Sequence, residues 1–226
     1  MINPNDVRLG GMFDEDILTD EILNSPEFIP LAEKNGTIIS IGNWVMDESI
    51  RQCAEWHKKY QNPIIMSINV SAIQYMKIDF VENLIAVIEK YGVDPKYIEL
   101  EVTESVLIAD FDSVATKLKA LKEYGVRISL DDFGTGYSSL AYLKKLPIDT
   151  LKIDKSFIDT VLYDHATQVI TESIINMVKT MGFEAVAEGV EHEQQYKYLN
   201  EIGCDVIQGF YFAKPKNVEE IEKLLS

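Results

Sequence analysis

A chain of 226 residues with 46% hydrophobic content can bury a substantial core, while 37 acidic against 21 basic residues leave a formal charge of −16. That balance argues against a nucleic-acid polymer or an anionic membrane as partner, and an anionic ligand would need cations to mediate its binding. Two cysteines give no disulfide framework, and neither a charged-then-apolar leader nor an apolar run of about 18 residues is present, so no membrane insertion and a cytoplasmic setting are expected.

Residues 1–24 form an irregular acidic segment. It offers one weak strand candidate, Asp6 to Met12, broken by Gly10 and Gly11, and then Asp14, Glu15, Asp16, Asp20 and Glu21. A domain is expected over 25–226. Ser25-Pro26-Glu27 reads as an N-cap with proline at the first helical position, opening a helix through Phe28 to Glu33, with Gly36 beyond its end. Strands are then expected at Ile64–Val70, Tyr97–Val102, Val126–Asp131, Thr150–Asp154, Glu184–Glu188 and Cys204–Gln208. Between them run helical faces made of Phe80, Leu84, Val87 and Tyr91; of Val114, Leu118 and Leu121; and of Ile170, Ile174, Met177 and Met181. Asp110 and Asp164 are candidate caps, and a last helix covers Asn217–Leu225.

Strand parity separates two faces. Met66, Ile68, Val70, Ile98, Leu100, Val102, Val126, Ile128, Leu130, Leu151 and Ile153 make one of them apolar, while Ser67, Asn69, Glu99, Glu101, Arg127, Ser129, Asp131, Thr150, Lys152, Asp154, Glu184, Glu188 and Gln208 make the other polar. Helices between the strands demand parallel crossovers, so the apolar face must meet the helices and the polar face needs an enclosure of its own. Closure into an α/β barrel supplies it; an open doubly wound sheet would need apolar residues on both faces. Only six strand–helix units can be counted from Pro63 onward, against the eight of a closed barrel, so the fold predicted is a modified TIM (β/α) barrel with its first strand missing or altered.

Six strands end on polar side chains: Asn69, Glu101, Asp131 with Asp132, Lys152, Glu188 and Gln208. Parallel strand ends are where barrel enzymes keep their chemistry. Carboxylates and amides without histidine or cysteine are hard oxygen ligands, favouring Mg²⁺ or Mn²⁺ over zinc. Adjacent Asp131 and Asp132 could serve two ions about 4 Å apart, as in phosphoryl displacement, and Lys152 adds a point charge suited to phosphate. His57, His165 and His192 lie in helical or pre-helical contexts and read as surface residues. A single acidic residue at a strand end is more often a cap or a salt-bridge partner; Asp154 reads as a cap and Glu99 with Arg127 as an interior ion pair. The recurrence over six strands carries the site, not any one member. The glycine-bearing run Phe133-Gly134-Thr135-Gly136 reads as a gating or docking loop, since no Lys-Ser or Lys-Thr follows as in a P-loop.

Asn69-Val70-Ser71-Ala72, Glu101-Val102-Thr103-Glu104-Ser105, Asp131-Asp132-Phe133-Gly134-Thr135-Gly136-Tyr137-Ser138, Leu151-Lys152-Ile153-Asp154, Ala187-Glu188-Gly189-Val190-Glu191 and Gln208-Gly209-Phe210 together resemble, in order and spacing, the EAL family of bacterial phosphodiesterases. These hydrolyse cyclic di-GMP to linear pGpG in signal transduction. The resemblance runs from about Ser25 to the C-terminus. It implies two Mg²⁺ or Mn²⁺ ions, with Asn69, Glu101 and Asp131 as ligands, Asp132 serving the second ion and Glu188 as ligand or base. Lys152 would position the attacking water and Gln208 would orient water. Glu104 would anchor the loop after Asp131, and that loop with its following helix would be a homodimer contact. Glu191 lies near the rim.

The front departs from the family. Its Glu-x-Leu motif and phosphate-binding arginine would fall near Gly10 or Gly11, Met12 and Asp14, so a ligand, a phosphate contact and a strand are absent from the expected places. Losing a ligand from a hard-cation site weakens its grip. The reading that follows is a degenerate EAL domain with weak or no catalysis and a binding or regulatory role, including a regulatory protein partner. The alternatives are an active phosphodiesterase, with an acidic residue such as Glu15 or Glu21 substituting, and a protein-interaction module without nucleotide binding.

Overall fold

The computed structural model describes residues 27–60, 64–104, 106, 110–134 and 143–225. The expected Asp6–Met12 strand, the acidic stretch after it and the Ser25-Pro26 helix start lie outside the described residues, as do Thr135 and Gly136. In chain order the elements are α1 (Phe28–Asn35), α2 (Ile38–Lys59), β1 (Met66–Asn69), α3 (Ala72–Tyr75), α4 (Phe80–Tyr91), β2 (Ile98–Thr103), α5 (Phe111–Tyr124), β3 (Arg127–Phe133), β4 (Thr150–Ile153), α6 (Lys155–Thr160), α7 (His165–Thr180), β5 (Glu184–Ala187), α8 (Glu193–Glu201), β6 (Val206–Ile207) and α9 (Val218–Leu225). They fall into two compact units, one of residues up to Ile98 with those from Pro215, the other Glu99–Lys214. Among the described residues there are six strands, and no helix is long and apolar enough to cross a membrane.

In the first unit α1 stops at Gly36, whose φ of 80° gives the left-handed C-cap the sequence suggested. Ala32, Ile38 and Ile41 close the junction of α1 and α2, with Phe28, Ile39 and Val45 packed against them. On α4 the buried stripe is Phe80, Leu84 and Ile88. Val87 and Tyr91 stand at its margin rather than on it; the Tyr91 hydroxyl donates to Asp47 Oδ2 at 2.7 Å and ties α4 to α2. At the far end of α2, Trp56 Nε1 and Lys59 Nζ reach Glu222 of α9 at 3.3 and 2.6 Å.

In the second unit β2, β3, β4, β5 and β6 pair parallel in chain order. The apolar parity set is buried as expected: Leu100, Val102, Ile128, Leu130, Leu151 and Ile153 turn one way, and Val114, Leu118 and Leu121 of α5 are buried too. The polar parity set is enclosed as well, since Glu99, Glu101, Ser129, Asp131, Thr150 and Lys152 are buried. Asp110, Asp154 and Asp164 cap α5, α6 and α7, accepting from the N–H groups of Ser113, Ser156 and of Ala166 with Thr167.

The predicted face of α7 is corrected by one residue. Thr171, Ile175 and Val178 are buried, while Ile170 is 46% exposed. Two apolar stripes run side by side on this helix, and the one containing a threonine can be buried because the Thr171 hydroxyl donates to Thr167 O at 2.8 Å within the helix.

At the strand starts, Arg127 donates to Glu99 Oε2 at 3.2 Å, to Glu184 Oε2 at 3.0 Å and to Thr150 Oγ1 at 3.3 Å, and Thr150 Oγ1 donates to Glu99 Oε2 at 2.9 Å. The expected Glu99–Arg127 pair is thus part of a four-residue network.

Candidate functional site

At the other ends of the same strands, β2 supplies Glu101, β3 Asp131, β4 Lys152 and the residue just past β5 is Glu188. Lys152 Nζ lies 2.9 Å from Glu101 Oε2, 2.7 Å from Glu188 Oε1 and 3.4 Å from Asp131 Oδ1. Lys152 and Glu101 are 3% and 2% exposed. The Glu101–Lys152 contact is an ion pair without hydrogen-bond alignment, and among the described residues neither Glu101 oxygen has a hydrogen-bond partner. Three carboxylates around one ammonium leave excess negative charge in a place that is expensive for it.

The ionisation equilibria record that cost. Burial pushes Glu188 up to about 7, the attraction of Lys152 offsetting part of it and Asp131 adding repulsion. Glu101 is likewise raised by burial against the pull of Lys152. Burial alone would lower Lys152, but Glu101, Asp131 and Glu188 outweigh it and hold the ammonium above its ordinary range.

Asp131 and Asp132 reach the rim together because β3 is irregular there. Leu130 pairs with Leu151 and Phe133 with Ile153, so two aspartates stand opposite the single residue Lys152. This is a β-bulge, which re-aims side chains beside a site. Asp132 has φ 56°, and its N–H donates to Asp131 Oδ1 at 3.0 Å. Burial, then Asp131 and Asp154, raise the Asp132 carboxyl. Sequence parity missed this device; two adjacent aspartates at a strand end are its only written signal.

Around this centre, the Gly134 N–H donates to Glu104 Oε2 at 3.3 Å, Glu104 is buried with Oε1 unpartnered among the described residues, and Phe133 is buried. Gln208 is fixed through its backbone, its N–H donating to Ala187 O at 2.8 Å and its carbonyl accepting from Val190 at 3.1 Å. Gly209 allows that closeness: a Cβ there would stand 2.1 Å from Val190 O. Glu191 pairs with Lys155, which lowers its carboxyl. Asn69 ends β1 in the first unit with an exposed side chain. The three histidines sit elsewhere: His57 Nε2 lies 2.8 Å from Ile64 O, and His165 and His192 are exposed at the starts of α7 and α8.

Among the described residues, no three His, Cys, Asp or Glu side chains already surround a common point at ligand distance, because the carboxylates are gathered on Lys152. The donor chemistry nonetheless suits a hard divalent cation. It offers carboxylate oxygens only, includes two buried Glu101 oxygens with no hydrogen-bond donor, and carries uncompensated negative charge.

A family model described as EAL domain matches residues 18–215. The signaling protein YkoW of Bacillus subtilis (strain 168) is 43% identical over 199 residues, covering 88% of this chain and 25% of that protein. The bifunctional diguanylate cyclase/cyclic di-GMP phosphodiesterase MucR of Pseudomonas aeruginosa is 39% identical over 200 residues, 88% of this chain and 29% of its own. The chain therefore spans between a quarter and a third of the length of these curated relatives. The solved PaMucR phosphodiesterase complex with c-di-GMP superposes with a TM-score of 0.83 at 40% identity, covering 86% of this chain and 79% of that one. The manganese/cy-diGMP complex of Klebsiella pneumoniae BlrP1 superposes at 0.74 with 27% identity, covering 84% and 48%. The fold class expected from strand parity, a TIM-like α/β barrel, is the one these structures share.

Proposed function

The chain belongs to the EAL domain family, and from that premise we propose that it binds cyclic di-GMP with two Mg²⁺ or Mn²⁺ ions and acts as a regulatory domain, with little or no turnover to linear pGpG. The observation that carries this reading is the buried Lys152 ammonium held by Glu101, Asp131 and Glu188 at 2.9, 3.4 and 2.7 Å. Asn69, Glu101, Asp131, Asp132 and Glu188 are the residues that would hold the ions. Bound there, the ions would supply charge neutralisation and Lewis-acid polarisation of a phosphate oxygen.

The chain's own groups have separable tasks. Lys152, kept protonated at Nζ by its three carboxylate neighbours, offers fixed donors to the water that attacks phosphorus. Glu188, whose carboxyl burial raises to about 7 in the metal-free chain, would act either as an ion ligand or, in place of that role, as the base that receives the water's proton. The Gln208 amide would orient the water from the next strand. Glu104 holds the chain after Asp131 at Gly134.

Reduced turnover is the reading that the front of the chain favours: counted back by the family's usual spacing, the Glu-x-Leu glutamate and leucine and the phosphate-binding arginine would fall near Gly10 or Gly11, Met12 and Asp14. One missing carboxylate weakens a hard-cation site, and an aspartate in place of arginine repels the substrate phosphate.

Isothermal titration with cyclic di-GMP, with and without Mn²⁺, followed by chromatography of the same sample, tests this. Saturable binding with little or no pGpG supports the regulatory reading. Ready conversion to pGpG, abolished by Glu101→Ala or Lys152→Ala, replaces it with an active phosphodiesterase. Neither binding nor product leaves a protein-interaction module.

A further inference from the structure

Resting on the metal-binding reading above, we propose that Gln195 is a positioning residue that sets Glu188 against Lys152 by tying the segment after β5 to α6. Gln195 is an uncharged side chain of α8, only 4% exposed, and every hydrogen-bonding direction of its amide that the structure fills leads to one of these two segments. Its Oε1 accepts from the N–H groups of Glu191 and His192, each at 2.9 Å. Its Nε2 donates to Ile158 O in α6 at 3.0 Å.

A second contact joins the same two segments. The stem of Lys155, the first residue of α6, lies so close over Gly189 that a Cβ there would be 2.4 Å from Lys155 Cγ, and the Lys155 ammonium pairs with Glu191. Glu188 is thus followed by Gly189, Glu191 and His192, each tied to α6 directly or through Gln195, while Lys152 precedes α6 by three. The Glu188 N–H completes the attachment, donating to Ile153 O at 3.2 Å. Shifting α6 relative to this segment would change the 2.7 Å Lys152–Glu188 contact directly.

Helix capping alone does not explain the arrangement. A glutamine at the third position of a helix that accepts from the N-cap N–H is half of a capping box, which accounts for the bond from His192. It does not account for the bond from Glu191, nor for a buried amide donated to α6. Ile158 O lies in the last turn of a six-residue helix, where carbonyls lack intrahelical donors, so the bond fills a need of α6 and not of α8.

Calorimetric titration of the full chain with Mn²⁺ alone, at alkaline pH where a glutamate is ionised, reads the role without requiring turnover. Gln195→Ala is expected to weaken Mn²⁺ binding about tenfold, as for other residues that orient metal ligands from outside. Gln195→Glu keeps an acceptor for both N–H groups but turns the donor to Ile158 O into a charged oxygen that repels it, so it is expected to release α6 and weaken Mn²⁺ binding as well. Leu199→Val, a buried change on the same helix, is expected to lower Tm and leave Mn²⁺ affinity unmoved. Unaltered affinity in Gln195→Glu, or an equal loss in Leu199→Val, overturns the positioning role. A wild-type chain that takes up no Mn²⁺ overturns the metal reading beneath it, a result visible before any variant is made.

Discussion

Because burial holds the Glu188 carboxyl near 7, above the 4.5 ordinary for a glutamate, the folded chain keeps a proton over that interval which the unfolded chain has released. Without metal, stability therefore falls as pH rises from about 4.5 to about 7, and Glu101 and Asp132, shifted in the same direction, add to the slope. Glu188→Gln is expected to flatten the profile of Tm against pH and raise Tm at pH above 7 in metal-free buffer, while weakening Mn²⁺ binding. A wild-type Tm that climbs through the interval contradicts this. Lys152 has the opposite sign: removing it leaves buried carboxylates without their cation, so Lys152→Met is expected to cost roughly 3–5 kcal/mol in denaturant unfolding, with added Mn²⁺ recovering part of the loss. That these residues share one face and one end of the sheet was legible in the sequence, because each stands at the end of an alternating strand. That Lys152 would be ringed by them was not, since parity gives a face and not a distance.

Among the elements, β3 is where periodicity fails. A regular strand would send Asp131 and Asp132 to opposite faces, and the two-against-one pairing opposite Lys152 keeps them together, with Asp132 in the left-handed region at φ 56°. Aspartate tolerates that region better than most residues, so Asp132→Gly is expected to change stability by less than about 1 kcal/mol while reducing Mn²⁺ affinity, a split that paired Tm and calorimetry would expose. Gly209→Ala should behave otherwise, because its Cβ would meet the Val190 backbone at 2.1 Å; a loss of about 2–3 kcal/mol is expected. Caps were readable for a local reason: Asp110, Asp154 and Asp164 each act on N–H groups two or three residues ahead. The face of α7 was not, because its two apolar stripes differ by one residue and only packing chooses between them.

For the molecule as a whole, a charge of −16 and a centre with more carboxylates than cations both oppose an anionic nucleotide. Chelation by EDTA is accordingly expected to abolish cyclic di-GMP binding, and binding that survives EDTA would remove the divalent ions from the recognition scheme. The α/β class and the strand ends were legible because helix and strand periods alternate from Pro63 onward. Gln195 was not, since its bonds to Glu191, His192 and Ile158 join backbone groups, which no side-chain pattern reports.

The Arg127, Glu99, Thr150 and Glu184 network closes the starts of the strands whose ends carry Glu101, Asp131, Lys152 and Glu188. Its charges answer one another locally, so cohesion there owes nothing to whatever ion or nucleotide visits the opposite end. Substitutions at the carboxylate-bearing rim can therefore be made without loosening the opposite floor of the sheet.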